Sequence, residues 1–340
     1  MKRSYLSGVC DRIARLEKEG TVAAVLKNAA ARKTVLKICA VAAAAAILLM
    51  LKPFLSKDSS ADSALKSGTA EVCFVDTGQS DCILIRTEEA AVLIDAGEVG
   101  CEGAVCSALE KRGVSVLSLV VATHPHSDHI GSMEAVFDKF SVERLLVPDI
   151  PEEYLLDSPL YDGVLSTAEN KDGCAVIYAE PGMKFDLGGG AVLEVLGPVE
   201  CYFDEMNNWS VVTKFTFGET SFLFTGDAEA AAELDLIAYG ADLSCDVLKC
   251  GHHGSRTSTT EELLDAAAPQ YAVFLCGEGN VHGHPHQSTK EALYRRGIRV
   301  LRTDLDGTVT MTTDGKNIFI ETEKQMQSKS PPKGGLLLCK

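Results

Sequence analysis

Beyond its first 60 residues the chain is poor in positive charge. Residues 1–60 contain 11 Lys and Arg against 4 Asp and Glu, whereas the remaining residues contain 21 against 44. The larger part therefore carries a net charge of −23, which opposes long-range attraction of a polyanion such as nucleic acid. Bound divalent cations would offset only part of that charge.

The 12 cysteines include no Cys-x-x-Cys pair, which argues against a zinc ribbon. Cys73 and Cys82 lie within apolar, strand-like runs, so we interpret them as small core residues. Disulfides can form outside the cytoplasm, but the sequence identifies no pairs.

No uninterrupted apolar run reaches the ~20 residues of a typical membrane-spanning helix. The longest, 38–51, is flanked by Lys37 and Lys52, whose side chains can reach the membrane interface, and apolar residues continue just beyond it. We therefore predict an uncleaved membrane anchor at 38–55. A secretory signal peptide and a buried core helix are the rival interpretations, but no clean cleavage site follows the run. The positive-inside rule then predicts a single-pass protein of the cell membrane, with basic residues 1–37 cytoplasmic and the remainder extracytoplasmic.

Residues 56–69 are polar and small and are predicted to form a linker, 70–322 a globular domain, and 323–340 a flexible tail. Strand-like runs and helix-like segments within the domain follow the order βββαβαβ, then isolated strands, then βαβαβαβββ. This order predicts an α/β domain with two mixed sheets and helices outside. The predicted elements near the first histidines are strands at 71–76, 82–86 and 91–95, and helices at 99–111 and 128–137.

All eight histidines fall into three clusters, and none lies between residues 129 and 252. The first cluster, Thr123-His124-Pro125-His126-Ser127-Asp128-His129, directly follows an apolar run. Imidazole is the commonest metal ligand and a carboxylate adds negative charge, so the motif predicts a metal site. His124 and His126 would face one ion, and Asp128 and His129 would face a neighbouring one.

The other clusters supply partners for this motif. Asp227 ends a strand-like run, and its alternative role is to cap the helix that follows; beside the two histidine clusters we interpret it as a ligand that bridges two ions. Glycines on both sides of His252 and His253 permit a tight turn. The third cluster, 282–286, is either a further source of ligands or a rim that supplies proton donors and phosphate contacts.

Six motifs together resemble the metallo-β-lactamase superfamily, and within it the β-lactamase-like domain of the competence DNA-uptake protein ComEC. They are Phe74-Val75-Asp76-Thr77-Gly78-Gln79-Ser80-Asp81, 93–97, 123–131, 225–227, 248–255 and 283–286. The resemblance implies a four-layer αββα sandwich with two divalent metal ions, Zn²⁺ or Mn²⁺. The ligands that it implies are His124, His126, Asp128, His129, Asp227 and either His252 or His253; we assign His252. The side chains expected to support them are Asp76, Asp81, Asp95, Asn208, Ser210 and Ser255.

The chain departs from the family pattern at Thr77, Ser80 and Ser132, and it lacks the further histidine that lactamases place between residues 129 and 252. Asn208 or Ser210 would occupy the place of that histidine, which disfavours β-lactam hydrolysis. The polytopic channel of ComEC has no counterpart in the sequence, so DNA transport does not carry over.

The sequence therefore predicts a metal-dependent phosphodiesterase, most simply a nuclease acting on DNA through a metal-activated hydroxide. Asp128 or Asp227 would orient the hydroxide, and His253, His284 or His286 would protonate the leaving oxygen. Two alternatives stay open: an extracytoplasmic phosphodiesterase for wall or lipid phosphocholine-type esters, and a membrane-anchored binding domain with a degenerate site. The sequence identifies no protein partner.

Overall fold

The computed structural model describes residues 65–151, 154–155, 158–203 and 205–325. The predicted cytoplasmic segment, the predicted anchor at 38–55 and most of the predicted linker and tail lie outside these residues. No helix within the described part of the chain combines the length and apolar character needed to cross a bilayer.

The strands are numbered in chain order. They are β1 (Ala70–Phe74), β2 (Ile83–Arg86), β3 (Ala91–Ile94), β4 (Val116–Leu117), β5 (Leu119–Val121), β6 (Ser141–Val142), β7 (Arg144–Val147), β8 (Ala175–Tyr178), β9 (Lys184–Asp186), β10 (Val192–Gly197), β11 (Val212–Phe217), β12 (Thr220–Phe224), β13 (Val247–Lys249), β14 (Tyr271–Phe274), β15 (Arg299–Arg302), β16 (Val309–Thr313) and β17 (Ile318–Thr322).

These strands form two large mixed sheets. The first has eight strands in the order β17-β16-β1-β2-β3-β5-β7-β8, and the second has seven in the order β15-β14-β13-β12-β11-β10-β9. The short strands β4 and β6 pair separately. Strands β16 and β17 follow the second sheet in sequence but return to the first, where β16 pairs with β1 in antiparallel register.

The helices are α1 (Glu102–Lys111), α2 (Ser127–Ile130), α3 (Met133–Lys139), α4 (Pro159–Asn170), α5 (Ala230–Tyr239), α6 (Glu261–Ala267), α7 (Gln287–Arg295) and α8 (Thr303–Asp306). Short 3₁₀ turns occur at Met206–Trp209 and Gly251–Gly254.

Both faces of each large sheet are buried, so the core has three layers. Alternate strand residues such as Phe74 and Phe224 meet between the two sheets. Residues of the opposite faces pack against helices, with α1, α3 and α4 covering the first sheet and α5, α6 and α7 covering the second. This arrangement confirms the four-layer αββα sandwich, with helices on both outer faces.

The helix predicted at 128–137 is in fact two helices, α2 and α3, separated at Gly131 and Ser132. The hydroxyl of Ser132 donates a hydrogen bond to the backbone oxygen of Glu98 at 2.7 Å. A Cβ at position 131 would lie 2.2 Å from the backbone nitrogen of Val99. The chain therefore bends where it packs closely against the loop before α1.

The fold gathers loops from both sheets at one end of the sandwich. Strands β3 and β5 are parallel in the first sheet, and β12, β13 and β14 are parallel in the second. The carboxyl ends of parallel strands lie at one edge of a sheet, where open α/β sheets commonly bind ligands. The three polar segments 95–97, 123–131 and 225–227 follow directly after β3, β5 and β12.

Candidate metal centre

Asp128, His129, Asp227 and His253 form a compact group whose potential ligand atoms all lie within 4.8 Å of one another. Nε2 of His129 lies 3.2 Å from Oδ2 of Asp227, and Nε2 of His253 lies 3.1 Å from Oδ2 of Asp128. Three of these side chains are buried, whereas that of Asp128 is 29% exposed. The group can therefore be reached from solvent on the side of Asp128.

Asp95 fixes the orientation of His129. Its carboxylate accepts hydrogen bonds from Nδ1 of His129 at 2.7 Å and from the backbone nitrogen and hydroxyl of Thr123, both at 2.8 Å. Because Nδ1 is bonded to Asp95, Nε2 is free to face the other members of the group. Carboxylates commonly hold metal-binding histidines in this way.

A tight turn after β13 positions His253. Both His252 and His253 have left-handed backbone conformations, with φ of 46° and 52°. Nδ1 of His253 donates a hydrogen bond to the backbone oxygen of Leu275 at 2.9 Å, so Nε2 faces Asp128. Gly254 allows the turn because its φ is +87° and an added Cβ would lie 2.5 Å from Pro285.

The group fits a divalent cation. Nε2 of His129 is buried and makes no hydrogen bond, although buried polar atoms are nearly always paired. Two imidazole nitrogens and two carboxylates form a donor set suited to borderline divalent ions such as Zn²⁺. Binding of such an ion would therefore satisfy the unpaired nitrogen of His129.

His124 and His126 form an adjacent pair. Nε2 of His124 lies 3.0 Å from Nδ1 of His126, and the ring centroids of His124 and His129 lie 4.1 Å apart. Bonds of about 2.0–2.1 Å to one tetrahedral ion would place two ring nitrogens about 3.3 Å apart. The pair is thus close to the spacing at which it could chelate a second ion.

Ser210 lies beside this pair, in the region where the sequence lacks the further histidine. Its hydroxyl accepts a hydrogen bond from the backbone nitrogen of Asp227 at 2.9 Å and lies 3.3 Å from Nδ1 of His124. A Cβ at Gly226 would lie 2.8 Å from this hydroxyl oxygen, so glycine permits the close approach. Ser210 therefore supports both His124 and Asp227.

His252, the assigned ligand, is not a member of the compact group. Its Nδ1 pairs with Oε1 of Glu229 at 2.9 Å, and its Nε2 is 3.8 Å from Oδ2 of Asp227. Asn208 supports Glu229 by accepting a hydrogen bond from its backbone nitrogen at 2.9 Å. Of the two histidines left open by the resemblance, the compact group contains His253, and the assignment of His252 stays a prediction.

The third histidine cluster lies next to the second. The ring centroid of His284 is 5.5 Å from that of His252, and Nδ1 of His284 lies 3.3 Å from Nε2 of Gln79. Nδ1 of His286 accepts a hydrogen bond from the backbone nitrogen of Arg256 at 3.0 Å. This placement puts His284 at the edge of the group and ties His286 to the neighbouring loop.

Two of the residues expected to support ligands make hydrogen bonds within their own turns. The carboxylate of Asp76 accepts a hydrogen bond from the backbone nitrogen of Gly78 at 3.2 Å. The hydroxyl of Ser255 lies 2.9 Å from that of Thr257. Each therefore stabilises its own turn, whereas Asp81 is buried and lies 3.2 Å from Nδ1 of His253.

The carboxylates dominate the electrostatics of the group. Burial lowers the pKa of His253, but the nearby carboxylates, Asp227 first, outweigh it and raise the pKa to about 10. Burial also lowers the pKa of His129, and Asp227 and Asp95 outweigh it there as well. A bound divalent ion would displace the protons that this negative charge holds on the two histidines.

Three supporting residues were not assigned from the sequence: Lys249, Glu229 and Gln79. Lys249 is fully buried and pairs with Asp81 and Asp227. Its signal was a lysine at the end of an apolar run, immediately before a histidine cluster. Glu229 and Gln79 gave no comparable signal, because their partners are distant in sequence.

Comparison with known proteins agrees with this arrangement. The model of the "Metallo-beta-lactamase superfamily" matches residues 75–278. "ComE operon protein 3" of Bacillus subtilis is 31% identical over 72% of this chain and 33% of its own length. "Competence protein ComA" of Neisseria gonorrhoeae is 32% identical over 72% of this chain and 32% of its own length.

The chain thus spans about a third of the length of these curated relatives. Among solved structures, the metallo-β-lactamase fold protein YhfI from Bacillus subtilis aligns with a TM-score of 0.45 and 12% identity, over 74% of this chain and 99% of that one. From the family match over residues 75–278, the chain belongs to the metallo-β-lactamase superfamily, with a domain that resembles the competence-protein branch.

Proposed function

We propose that this domain is a metal-dependent phosphodiesterase that cleaves DNA. The observation that carries the proposal is the group of Asp128, His129, Asp227 and His253, with the His124/His126 pair beside it. The names of the curated relatives, which refer to competence and, in Haemophilus influenzae, to "Recombination protein 2", favour a nucleic-acid substrate.

Asp128, His129, Asp227 and His253 would hold one divalent ion, and His124 and His126 would contribute to a second. When bound, such ions lower the pKa of water and stabilise negative charge on a phosphoryl group. The partly exposed Asp128 is the member of the group that substrate can approach, and its carboxylate can orient a nucleophilic water by accepting its proton in a hydrogen bond.

His284 can supply a hydrogen bond to the phosphate ester. Oε1 of Gln79 accepts from the backbone nitrogen of Gly277 at 3.0 Å, which turns the amide Nε2 toward Nδ1 of His284. Nδ1 is then the acceptor, so the neutral ring carries its proton on Nε2. Burial and the neighbouring imidazoles lower the pKa of His284 to about 4, which keeps the ring neutral near pH 7.

The acidic surface favours a second candidate substrate. A net charge of −23 beyond residue 60 repels a long polyanion but not a zwitterionic phosphocholine ester of the wall or membrane. Such a substrate suits the proposed anchor at 38–55 and an extracytoplasmic location. The metal site and its chemistry are the same for both candidates.

The test uses the full-length protein, stripped of metal and supplied with Mn²⁺ or Zn²⁺. Plasmid DNA, bis-p-nitrophenyl phosphate and p-nitrophenylphosphorylcholine are offered to the wild type and to Asp227→Asn. We expect DNA and the phosphodiester to be hydrolysed, and Asp227→Asn to lose at least roughly a hundredfold in kcat/KM. The matched control is Asp162→Asn, on the exposed face of α4.

Hydrolysis of the phosphocholine ester without cleavage of DNA would replace the first candidate with the second. Metal binding without turnover of any of the three substrates would overturn both and favour a binding domain with a degenerate site.

A further inference from the structure

Lys249 is a buried lysine behind the candidate metal centre. It is the last residue of β13, where Val247 packs between the two sheets and Leu248 packs outward against the helices. By the two-residue period of a strand, the side chain of Lys249 also points between the sheets. It is fully buried, which is rare for lysine unless the ammonium is paired.

Three acceptors surround the ammonium of Lys249. Nζ donates to the backbone oxygen of Gly226 at 2.6 Å, forms a short ion pair with Oδ2 of Asp81, and lies 3.5 Å from Oδ1 of Asp227. Nζ therefore hydrogen-bonds to Gly226, whereas its contact with Asp227 is an ion pair without a hydrogen bond. Asp81 lies in the loop between β1 and β2 of the first sheet and Lys249 ends β13 of the second, so the ion pair also joins the two halves of the sandwich.

The ammonium of Lys249 contacts one oxygen of each of the two carboxylates, Asp81 and Asp227. Oδ1 of Asp227 lies nearest Lys249, whereas Oδ2 faces Nε2 of His129 at 3.2 Å and Nε2 of His253 at 3.5 Å. Asp81 is divided in the same way, because Oδ2 pairs with Lys249 while Oδ1 lies 3.2 Å from Nδ1 of His253. One oxygen of each carboxylate is thereby aimed at the histidines of the centre.

We propose that Lys249 is a positioning residue that acts as a built-in counter-ion of the metal centre. It supplies positive charge to Asp81 and Asp227 in the metal-free protein, and it leaves Asp227 a single oxygen, Oδ2, for the ions. The inference rests on the metal site of the proposed function. With Lys249 in place, the site keeps its geometry without metal, but its affinity for divalent cations is weaker.

The affinity argument is electrostatic. A fixed positive charge close to the bound ions repels them, and in a buried site this repulsion is poorly screened. Replacement of Lys249 by methionine keeps most of the side-chain volume but removes the charge. The buried carboxylates of the metal-free variant then have less compensating positive charge, which is costly, and a divalent ion relieves that cost.

The experiment compares full-length wild type with Lys249→Met, with Asp81→Asn and with the double variant Asp81→Asn/Lys249→Met. The readouts are the melting temperature of the metal-free protein, the rise in melting temperature on adding Mn²⁺, and the Mn²⁺ dissociation constant from calorimetric titration. The matched control is Lys214→Met, because Lys214 is also buried and paired, with Asp242, but lies on β11 away from the centre.

We expect metal-free Lys249→Met to have a lower melting temperature than wild type and a larger rise in melting temperature on addition of Mn²⁺. We also expect it to bind Mn²⁺ roughly tenfold more tightly or better. Lys214→Met should lower the melting temperature and leave the dissociation constant unchanged. A folded Lys249→Met with the wild-type dissociation constant would overturn the inference, since Lys249 would then only join the two sheets.

The double variant covers the case in which Lys249→Met does not fold. It removes the unpaired carboxylate of Asp81 together with the ammonium, and we expect it to fold and still bind Mn²⁺ more tightly than Asp81→Asn alone. Equal affinities of the double variant and Asp81→Asn would overturn the inference. Hydrolysis is not a readout, so a wild type that binds Mn²⁺ but cleaves no phosphodiester would overturn the proposed function alone.

Discussion

Asp95 is the residue on which the orientation of His129 depends. Its carboxylate accepts three hydrogen bonds, from Nδ1 of His129 and from the backbone nitrogen and hydroxyl of Thr123. Asp95→Asn replaces one acceptor oxygen by an NH₂ group that faces donors. We expect the variant to lose roughly 10–100-fold in metal affinity, as is usual when such a supporting carboxylate is removed, measured by competition with a chromophoric chelator.

Asp76→Asn is the control for this variant, because Asp76 is also an aspartate at the site end of the first sheet but caps only its own turn. Its metal affinity should remain that of the wild type. An equal loss in both variants would mean that the effect comes from general destabilisation and not from His129.

The cysteines provide a second prediction at the scale of residues. All nine that the structure describes are free thiols, and Cys201 is exposed whereas Cys73, Cys245 and Cys276 are buried. Burial raises the pKa of Cys73 to about 11 and that of Cys245 and of Cys276 to about 12. The thiolate is the reactive form, so at pH 8 iodoacetamide should modify Cys201 first and the buried thiols only after unfolding.

Mass mapping of alkylated peptides from native protein checks this result. Modification of Cys73 as fast as of Cys201 under native conditions would show that the inner strands of the first sheet open readily.

The sequence identified the histidines and aspartates of the centre because they follow apolar runs in dense clusters. It assigned His252 as a ligand and could not show that a left-handed turn directs the ring of His253 toward Asp128. It also gave no role to Lys249, since its partner Asp81 is 168 positions away in the chain and is brought close only when the two sheets pack together.

At the scale of elements, Glu233 ties helix α5 to the start of α6. Its buried carboxylate accepts hydrogen bonds from the backbone nitrogens of Thr259 at 2.6 Å and Thr260 at 2.8 Å. Glu233→Ala leaves both N–H groups without their acceptor, so we expect a loss of about 2 kcal/mol or more in the free energy of unfolding, measured with urea. Glu262→Ala, on the exposed side of α6, is the control.

This loss should depend on pH. Burial raises the pKa of Glu233 above its value in the unfolded chain, about 4.5. The titration of this carboxyl therefore contributes stability that is fully present below pH 4.5 and is lost as pH rises through the raised pKa. The difference between wild type and Glu233→Ala should be larger near pH 5 than near pH 8, and the opposite trend would contradict the assignment.

Most strands were predicted because they are short apolar runs bounded by turn residues. Helix α4 was missed although it has a recognisable start, with Ser158 as N-cap and Pro159 in the first turn. Its buried residues, Tyr161, Val164 and Ala168, are too few to give a strong helical period. Strand β9 was also missed, because only Phe185 of its three residues is apolar and it is defined by pairing with β10.

At the scale of the whole molecule, the candidate ligands come from both sheets. Asp128 and His129 follow β5 of the first sheet, whereas Asp227 and His253 follow β12 and β13 of the second. A bound ion would therefore hold the two halves together. At a metal concentration about a thousandfold above the dissociation constant, we expect Mn²⁺ to raise the melting temperature of the chelator-treated protein by roughly 10 °C.

Calorimetry of the protein with a chelator and then with excess Mn²⁺ measures this shift. Asp227→Asn should show little of it, and a wild type that melts at the same temperature with and without Mn²⁺ would contradict a site shared between the sheets.

The charge of the whole molecule predicts how salt affects catalysis. Most proteins lose affinity for DNA as salt rises because counterions are released from the phosphates. Here the net charge of −23 beyond residue 60 should repel DNA, and salt screens that repulsion. We therefore expect KM for DNA to decrease as NaCl is raised from about 20 to 150 mM, while KM for p-nitrophenylphosphorylcholine stays constant. A KM for DNA that increases with salt would reveal a basic binding path.

The pairing of β16 with β1 has a consequence for how such a domain can be combined with others. The first strand of the sandwich is paired with β16, and β17 completes the same edge of the sheet. The polypeptide thus starts and finishes its course through the sandwich within three neighbouring strands. Because the two ends of such a domain lie close together, evolution can join the domain to unrelated domains without rearranging its layers.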